Sequence, residues 1–443
     1  MAAANNMYPA FGKQLSNWFS HSNKGGKNGA PNIIRFAIRL GEVDVVMARR
    51  AFEELVRKHE SLRTVFTATG AGVMQVVVGY REREYGLLHT VCKTRQHFDH
   101  KRRGINRRIE KTLGNLEEGP LFKGVLYEVM GQGYFLEISI HHIISDAWSI
   151  KLISDELFAI YESGGMAGKE EAGLQLSGYA TRHLTLNNEG MTKRYWQKKL
   201  EDLPEGIEVD RLYASYNAAV NSKGIRNTYK QKIGSGWIDI SRMLQTGYGH
   251  TFSSFIKEGI IEKVNGAAAK YKTTPSIIIL SVFLLLMRRL YQTHETLIIS
   301  RLNGRFDIMS REIVGNFTCA VYSYIREPAI KGMAHLVEMV RKDFLDGLDH
   351  PVYNPLLLQE VPLTANCHLC VNILTDELNE GDSSHNKLIK TPINTYFPLE
   401  VVVVFHKSSI HFNWIYNTLL FRSSMLQFIA GEHLKMLHQL IAG

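Results

Sequence analysis

The stretch Tyr134-Phe135-Leu136-Glu137-Ile138-Ser139-Ile140-His141-His142 runs directly into Ile143-Ile144-Ser145-Asp146-Ala147-Trp148-Ser149. Its first half predicts a strand, because strand side chains alternate between faces. Leu136, Ile138, Ile140 and His142 then share one face, and Glu137, Ser139 and His141 the other. On this reading His142 ends a buried apolar row, where scarce water favours the neutral imidazole. A neutral imidazole in a dry cleft can accept a proton from an incoming amine or hydroxyl. The plainer alternative is one packed and one exposed ring at a strand end. Asp146 precedes a helix predicted from about Ala147 to Tyr161 and stopped by Gly164-Gly165. It can cap that helix, in competition with Ser145, or meet a buried cation. With a turn between them, Asp146 need not orient His142, so a structural role is expected of it.

Working outward, strands and helices interleave along the whole chain. Asn32 to Leu40 reads as a strand and Asp44 to Lys58 as a helix, with Asp44 as cap and Ala48, Ala51, Phe52, Leu55 and Val56 on one apolar face. Gly72 to Val78 and Leu121 to Val129 are further strands. The polar region Glu170 to Asn188 is the expected link between two lobes. Beyond it, Thr274-Pro275 starts an apolar helix. Glu295 to Ser300, Leu399 to Phe405 and Ile410 to Tyr416 are strands, and Ser423 to Ile441 is a closing amphipathic helix.

The chain has 443 residues, 45% of them apolar and 21% charged, which fits a folded protein of two or three units. Its longest apolar run, Ile277 to Met287, is broken by Ser281 and falls short of the ~20 residues of a membrane span. The N-terminus lacks the features of a signal peptide. Four cysteines (Cys92, Cys319, Cys367, Cys370) make no disulfide framework, so a cytoplasmic setting is expected. Cys367-x-x-Cys370 has no second pair at ligand spacing, so no metal site is expected. No glycine-rich phosphate loop and no GxSxG nucleophile motif occurs. Of the net charge of +9, Lys93 to Lys111 supplies six, with eight basic residues against Asp99 and Glu110. That segment is either a solvated helical face or a docking surface for an acidic partner or phosphate, with Arg102, Arg103, Arg107 and Arg108 as its candidates. Phe98 is its sole aromatic residue, which argues against nucleic-acid stacking.

His141 to Ser149 is similar to the HHxxxDGxS signature of the condensation domains of nonribosomal peptide synthetases, in the chloramphenicol-acetyltransferase-like superfamily. Many acyltransferases share HxxxD, so further segments in the right order matter. Lys58-His59-Glu60-Ser61-Leu62-Arg63-Thr64-Val65-Phe66 resembles RHExLRTxF, and Gln14 and Trp18 keep the spacing of an N-terminal motif. Gly119-Pro120-Leu121-Phe122, Tyr195-Trp196, Gly304-Arg305, Val314-Gly315-Asn316-Phe317, His350-Pro351 and Tyr416 to Phe421 resemble successive family segments. Two departures stand out. Ala147 replaces the usual glycine beside the expected tunnel, and Cys319-Ala320 replaces an Asn-Thr pair. The intact histidines set the chain apart from the cyclising subgroup, and Asp146 to Ile150 is closer to condensation than to epimerisation domains.

The resemblance implies an α/β (α+β) fold of two acetyltransferase-like lobes in a V-shaped pseudo-dimer around a substrate tunnel, residues 1–180 forming the lobe with HHxxxD and 181–443 the other. It implies a catalytic motif of His141, His142 and Asp146, with His142 as base, orienter or charge stabiliser. A buried arginine is expected beside Asp146, Arg63 first and Arg305 second. Ala147, Trp148 and Ser149 are expected to line the tunnel, with Trp148 mainly packing. No tightly bound cofactor is implied. The substrates would ride on the phosphopantetheine of acyl or peptidyl carrier proteins acting in trans on a monomer, in peptide-antibiotic biosynthesis. The expected reaction is amide formation, less readily an ester. The alternatives are a coenzyme A-dependent acyltransferase for a small alcohol or amine, and a non-catalytic synthetase module, which the intact motif disfavours.

Overall fold

A computed structural model describes residues 6–23, 32–165, 173–186, 189–203, 209–219, 249–257, 259–361, 363–374, 386–388 and 397–442. The N-terminal half runs β1 (Met7–Pro9), α1 (Lys13–Asn23), β2 (Ile33–Leu40), α2 (Val45–Lys58), β3 (Thr64–Thr69), β4 (Gly72–Val77), α3 (Glu82–Tyr85), β5 (Leu88–Cys92), α4 (Arg95–Leu113), β6 (Phe122–Val129), β7 (Gly133–His141), α5 (Ala147–Glu162) and α6 (Leu176–Leu186). Further on come β8 (Gly249–Lys257), β9 (Glu295–Leu302), β10 (Cys319–Arg326), β11 (Leu369–Leu374), β12 (Asn386–Leu388), β13 (Leu399–Phe405) and β14 (Ser409–Asn417).

Among the described residues the strands form three sheets, in the orders β1-β4-β3, β12-β2-β7-β6-β5 and β10-β9-β11-β13-β14-β8. The second sheet is not built from one half alone, because β12 pairs antiparallel with β2, Leu388 opposite Phe36. The third is mixed, with β11 parallel to both β9 and β13. Its core gathers around the helix Pro275–Tyr291, where Thr274 caps the first turn and Pro275 opens it. Helices Ile260–Lys270 and Pro275–Tyr291 meet at 90°, and among the described residues no single helix is long and apolar enough to cross a membrane.

The predicted elements around β7 stand within a residue or two of their expected ends. Asp44 Oδ1 accepts from the backbone amides of Val46 and Met47 at 2.8 and 3.0 Å, which starts α2. The face Ala51, Phe52, Leu55 and Val56 packs on the sheet, with Phe52 stacked on Phe122 at 5.1 Å. That approach requires Gly124, where a Cβ would stand 2.4 Å from the Phe52 ring.

Two expectations change. The region 170–188 is not simply a polar link: its described part forms α6, which buries Leu176, Tyr179 and Ala180 and contains the expected 180/181 boundary. The basic segment forms α4, and α4 covers the second face of the sheet, burying Phe98, Ile109 and Leu113 against Val125 and Tyr127. The row Glu137, Ser139 and His141 is therefore buried as deeply as the apolar row.

Candidate functional site

β7 ends at His141, and the chain turns through His142 to Asp146 before α5 begins. The two histidines differ in the opposite sense from the strand-alternation expectation. His141 is the fully buried ring, 1% exposed, whereas His142 is half-buried. Burial drives the His141 pKa down to about 3, with the neighbouring His142 adding to the effect. Its Nδ1 accepts from the Ile143 amide at 3.0 Å.

His142 is held through both its ring and its backbone, whose amide donates to the Asn32 carbonyl at 2.7 Å. Its Nδ1 lies 2.7 Å from the Ser145 carbonyl, which can only accept, so Nδ1 carries the hydrogen and Nε2 bears the lone pair. Its own carbonyl accepts from Asn316 Nδ2 at 2.6 Å and from Asn17 Nδ2 at 3.3 Å, the latter on α1. Desolvation lowers its pKa and outweighs the Ser145 hydrogen bond and Asp146, which both pull it up, while Lys13 pushes it further down. A neutral imidazole with a fixed tautomer and one free acceptor follows.

Asp146 caps α5, accepting from the Ser149 amide at 2.7 Å and the Ser149 hydroxyl at 2.8 Å on Oδ1. Its buried cation is Arg305, whose Nη2 lies 3.1 Å from Oδ1 and 3.0 Å from Oδ2. The first-choice partner, Arg63, is elsewhere: it donates to the carbonyls of Val56, Arg57 and Val78 and ties the end of α2 to β4. Arg305 wins because the loop carrying it folds back over Phe317, its guanidinium 4.2 Å from the ring centroid. Gly304 allows this fold, having φ +69° and standing where a Cβ would meet the Phe317 carbonyl oxygen at 1.9 Å. The Phe317 amide completes Oδ2 at 3.0 Å.

Ser149 is turned into the protein. It is buried, and its hydroxyl is shared among Asp146, Arg305 and both the amide and carbonyl of Gly315. Trp148 is half-buried and donates Nε1 to the Arg311 carbonyl at 2.8 Å, whereas Ala147 is exposed. Of the basic candidates, Arg103, Arg107 and Arg108 are exposed, but Arg102 pairs with Glu137, which is 2% exposed. Arg35 flanks the same carboxylate at 3.6 Å. Arg102 is thus committed inside the protein, because the covered sheet face leaves Glu137 no water.

Asn17, Asn316 and Lys13 complete the site and carried no role in the sequence reading. Asn316 stood inside a motif already singled out, and Lys13 and Asn17 lay between or beside Gln14 and Trp18, so their position was the available signal.

A sequence model of the family described as Condensation domain matches residues 4–443. One of the proteins that make up the linear gramicidin synthase of Brevibacillus parabrevis is 30% identical over 175 residues, covering 37% of this chain and 2% of that protein. Surfactin synthase subunit 1 of Bacillus subtilis (strain 168) is 23% identical over 332 residues, covering 73% of this chain and 8% of that one. The chain therefore spans only a few per cent of the length of these relatives. The first condensation domain of the calcium-dependent antibiotic synthetase, solved with a substrate analogue, is similar in fold, with a TM-score of 0.73, 15% identity and coverage of 98% of this chain and 96% of that one.

Proposed function

The chain belongs to the condensation-domain family, and on that premise we propose that it transfers an acyl or peptidyl group from a carrier-bound thioester to an amine, forming an amide in nonribosomal peptide synthesis. The observation that carries this reading is the 2.7 Å contact from His142 Nδ1 to the Ser145 carbonyl, which leaves Nε2 as an acceptor in a desolvated site. An amine held there donates a hydrogen bond to Nε2 and attacks the thioester carbonyl. The C–N bond forms, the C–S bond breaks, and the amine's proton passes by way of the imidazole to the departing thiolate. Because the imidazole is a weak base, most of the acceleration is assigned to positioning, where well-oriented pairs gain up to ~7–11 kcal/mol.

In this reading His142 touches the reactants, while His141 and Asp146 hold the turn that presents it. Residues 1–180 and 181–443 are assigned to two lobes, with Asp146 and Arg305 facing each other from opposite sides of that division. The carrier acts in trans on a monomer and docks on the exposed part of α4 through Arg103, Arg107 and Arg108, not Arg102.

The test is transfer from an acyl-loaded carrier to a panel of amines, followed by mass spectrometry. His142→Ala is expected to fold and to lose transfer by ~10²–10⁴-fold, the usual contribution of a positioned acid–base group. Wild-type rates in that variant would refute the assignment. Transfer from acyl-coenzyme A alone would move the chain to the other donor class.

A further inference from the structure

β7 ends at His141, and past it the His142 carbonyl accepts from no backbone amide among the described residues. Two side-chain amides fill it instead. Asn316 Nδ2 donates at 2.6 Å from the second half of the chain, and Asn17 Nδ2 at 3.3 Å from α1. A carbonyl oxygen has two lone pairs, so this pair of donors saturates it. Asn316 is 0% exposed, and its Oδ1 accepts from the Thr318 amide at 3.1 Å, which fixes the end of the side chain that meets His142. The same Nδ2 stands 3.4 Å from His142 Nδ1, so the amide lies beside the ring as well as against the peptide.

Its neighbours in sequence tie down the residues around it. The Val314 carbonyl accepts from the Ser61 hydroxyl at 2.6 Å. Gly315 exchanges hydrogen bonds with the Ser149 hydroxyl, accepting at 2.7 Å and donating at 3.0 Å, and the Phe317 amide donates to Asp146 at 3.0 Å. The segment 314–317 is therefore laid along the turn from His142 to Ser149. Gly315 and Phe317 fasten the start of α5, whereas Asn316 falls on His142 itself. The direction of that carbonyl sets ψ of His142, and with it the reach from the ring Nδ1 to the Ser145 carbonyl three residues on, now 2.7 Å. A carbonyl released from its donors lets the turn and the ring rotate against each other. The hydrogen on Nδ1 then loses its acceptor, and the tautomer is no longer fixed.

We propose that Asn316, seconded by Asn17, is a positioning residue for transfer: it holds the His142 peptide so that the imidazole keeps its tautomer and aims Nε2 at the amine. It touches neither reactant and acts through His142. Its part in the reaction rests on the transfer reading above, but its hold on the imidazole can be read without turnover.

The test uses the full chain labelled with ¹⁵N-histidine, the His142 signals being assigned by their loss in His142→Ala. Wild type is expected to show one tautomer, with the hydrogen on Nδ1. Asn316→Ala is expected to fold by circular dichroism and to show mixed tautomers. Its kcat for transfer from an acyl-loaded carrier should fall about 10- to 100-fold, while KM for the amine stays within about threefold, because a misplacement of ~1 Å costs rate rather than binding. Ser61→Ala is the control: it removes another tie to the same segment away from His142, and tautomer and kcat should both stay at wild-type values. A single wild-type tautomer with wild-type kcat in Asn316→Ala overturns the proposal. So does Ser61→Ala if it reproduces both changes, since general loosening then explains them. Should Asn316→Ala fail to fold, Asn17→Ala, which removes a half-buried donor to the same carbonyl, is expected to give the same changes at smaller amplitude, and wild-type behaviour there overturns the shared hold. Mixed tautomers in Asn316→Ala alongside a wild type that transfers nothing would refute the reaction and leave the hold on His142 standing.

Discussion

Asp146 has both carboxylate oxygens filled, by the Ser149 amide and hydroxyl, the Phe317 amide and the Arg305 guanidinium. It has no contact with the His142 ring, whose Nδ1 hydrogen goes to Ser145 instead. The two residues are four apart in sequence, yet one is a fastener and the other presents a free nitrogen. Asp146→Ala leaves the Arg305 side chain, 0% exposed, as an uncompensated buried charge. The expected loss is ~3–5 kcal/mol, since removing one partner of a buried pair strands the other. Urea denaturation checks it, and Arg305→Ala should cost a similar amount for the same reason. An Asp146→Ala variant as stable as wild type but inactive would contradict the structural role. The motif histidines and Asp146 were legible in the sequence, because they sit in one short segment with strand and helix periodicity around it. The arginine was not: it lies 159 residues away, and no local pattern distinguishes Arg305 from Arg63 before the loop around Phe317 is folded.

α4 shows how one element serves two purposes that composition alone merges. One side of the helix carries Phe98, Ile109 and Leu113 into the core and delivers Arg102 to Glu137. The other exposes Arg103, Arg107, Arg108 and Lys111 to water. Replacing Arg103, Arg107 and Arg108 by Glu should shift stability by no more than about 0.5 kcal/mol, as for most surface changes. It should also weaken apparent carrier affinity and flatten its dependence on salt, because the lost attraction is a screened surface field. Arg102→Leu should do the reverse. Carrier affinity stays near wild type, while stability falls by about 1–3 kcal/mol as Glu137 loses a charged hydrogen bond. Carrier kinetics across a salt series, with denaturation of the same variants, separates the two. A triple variant with unchanged affinity would leave that side as plain solvated surface. Strand and cap signals such as Leu399–Phe405, Asp44 and Thr274 were readable because they are local. The buried side of α4 was hidden because its apolar residues are few and its burial is imposed by the sheet beneath.

At the scale of the molecule, the halves are tied by bonds with no local signature: Asp146 to Arg305, the Ser61 hydroxyl to the Val314 carbonyl at 2.6 Å, Trp148 to Arg311, and β12 on β2. Each half also buries histidines outside these ties. Burial lowers His141 to about 3, His368 to about 4 and His433 to about 3. His433 is enclosed by Phe283, Phe412 and Trp414, and neither of its ring nitrogens has a partner among the described residues. All three shifts have the same sign. An unfolded histidine takes its proton near pH 6.5, whereas these folded ones refuse it down to 3–4. Protons therefore favour the unfolded chain, and stability is level above that pH and falls below it. Glu156 joins later. Its burial is outweighed by His59 and Lys58, which hold it at about 2, so its contribution is lost only as pH falls below the ordinary carboxylate range. Between pH 6.5 and 5 the histidines dominate, each costing ~1.4 kcal/mol per pH unit once well below its unfolded value. His433→Leu isolates one of them. Its stability relative to wild type should be about 1.4 kcal/mol more favourable at pH 5.5 than at pH 7.5, whatever the fixed packing change. Urea midpoints at the two pH values decide it, and parallel curves for variant and wild type would show that His433 does not titrate on unfolding.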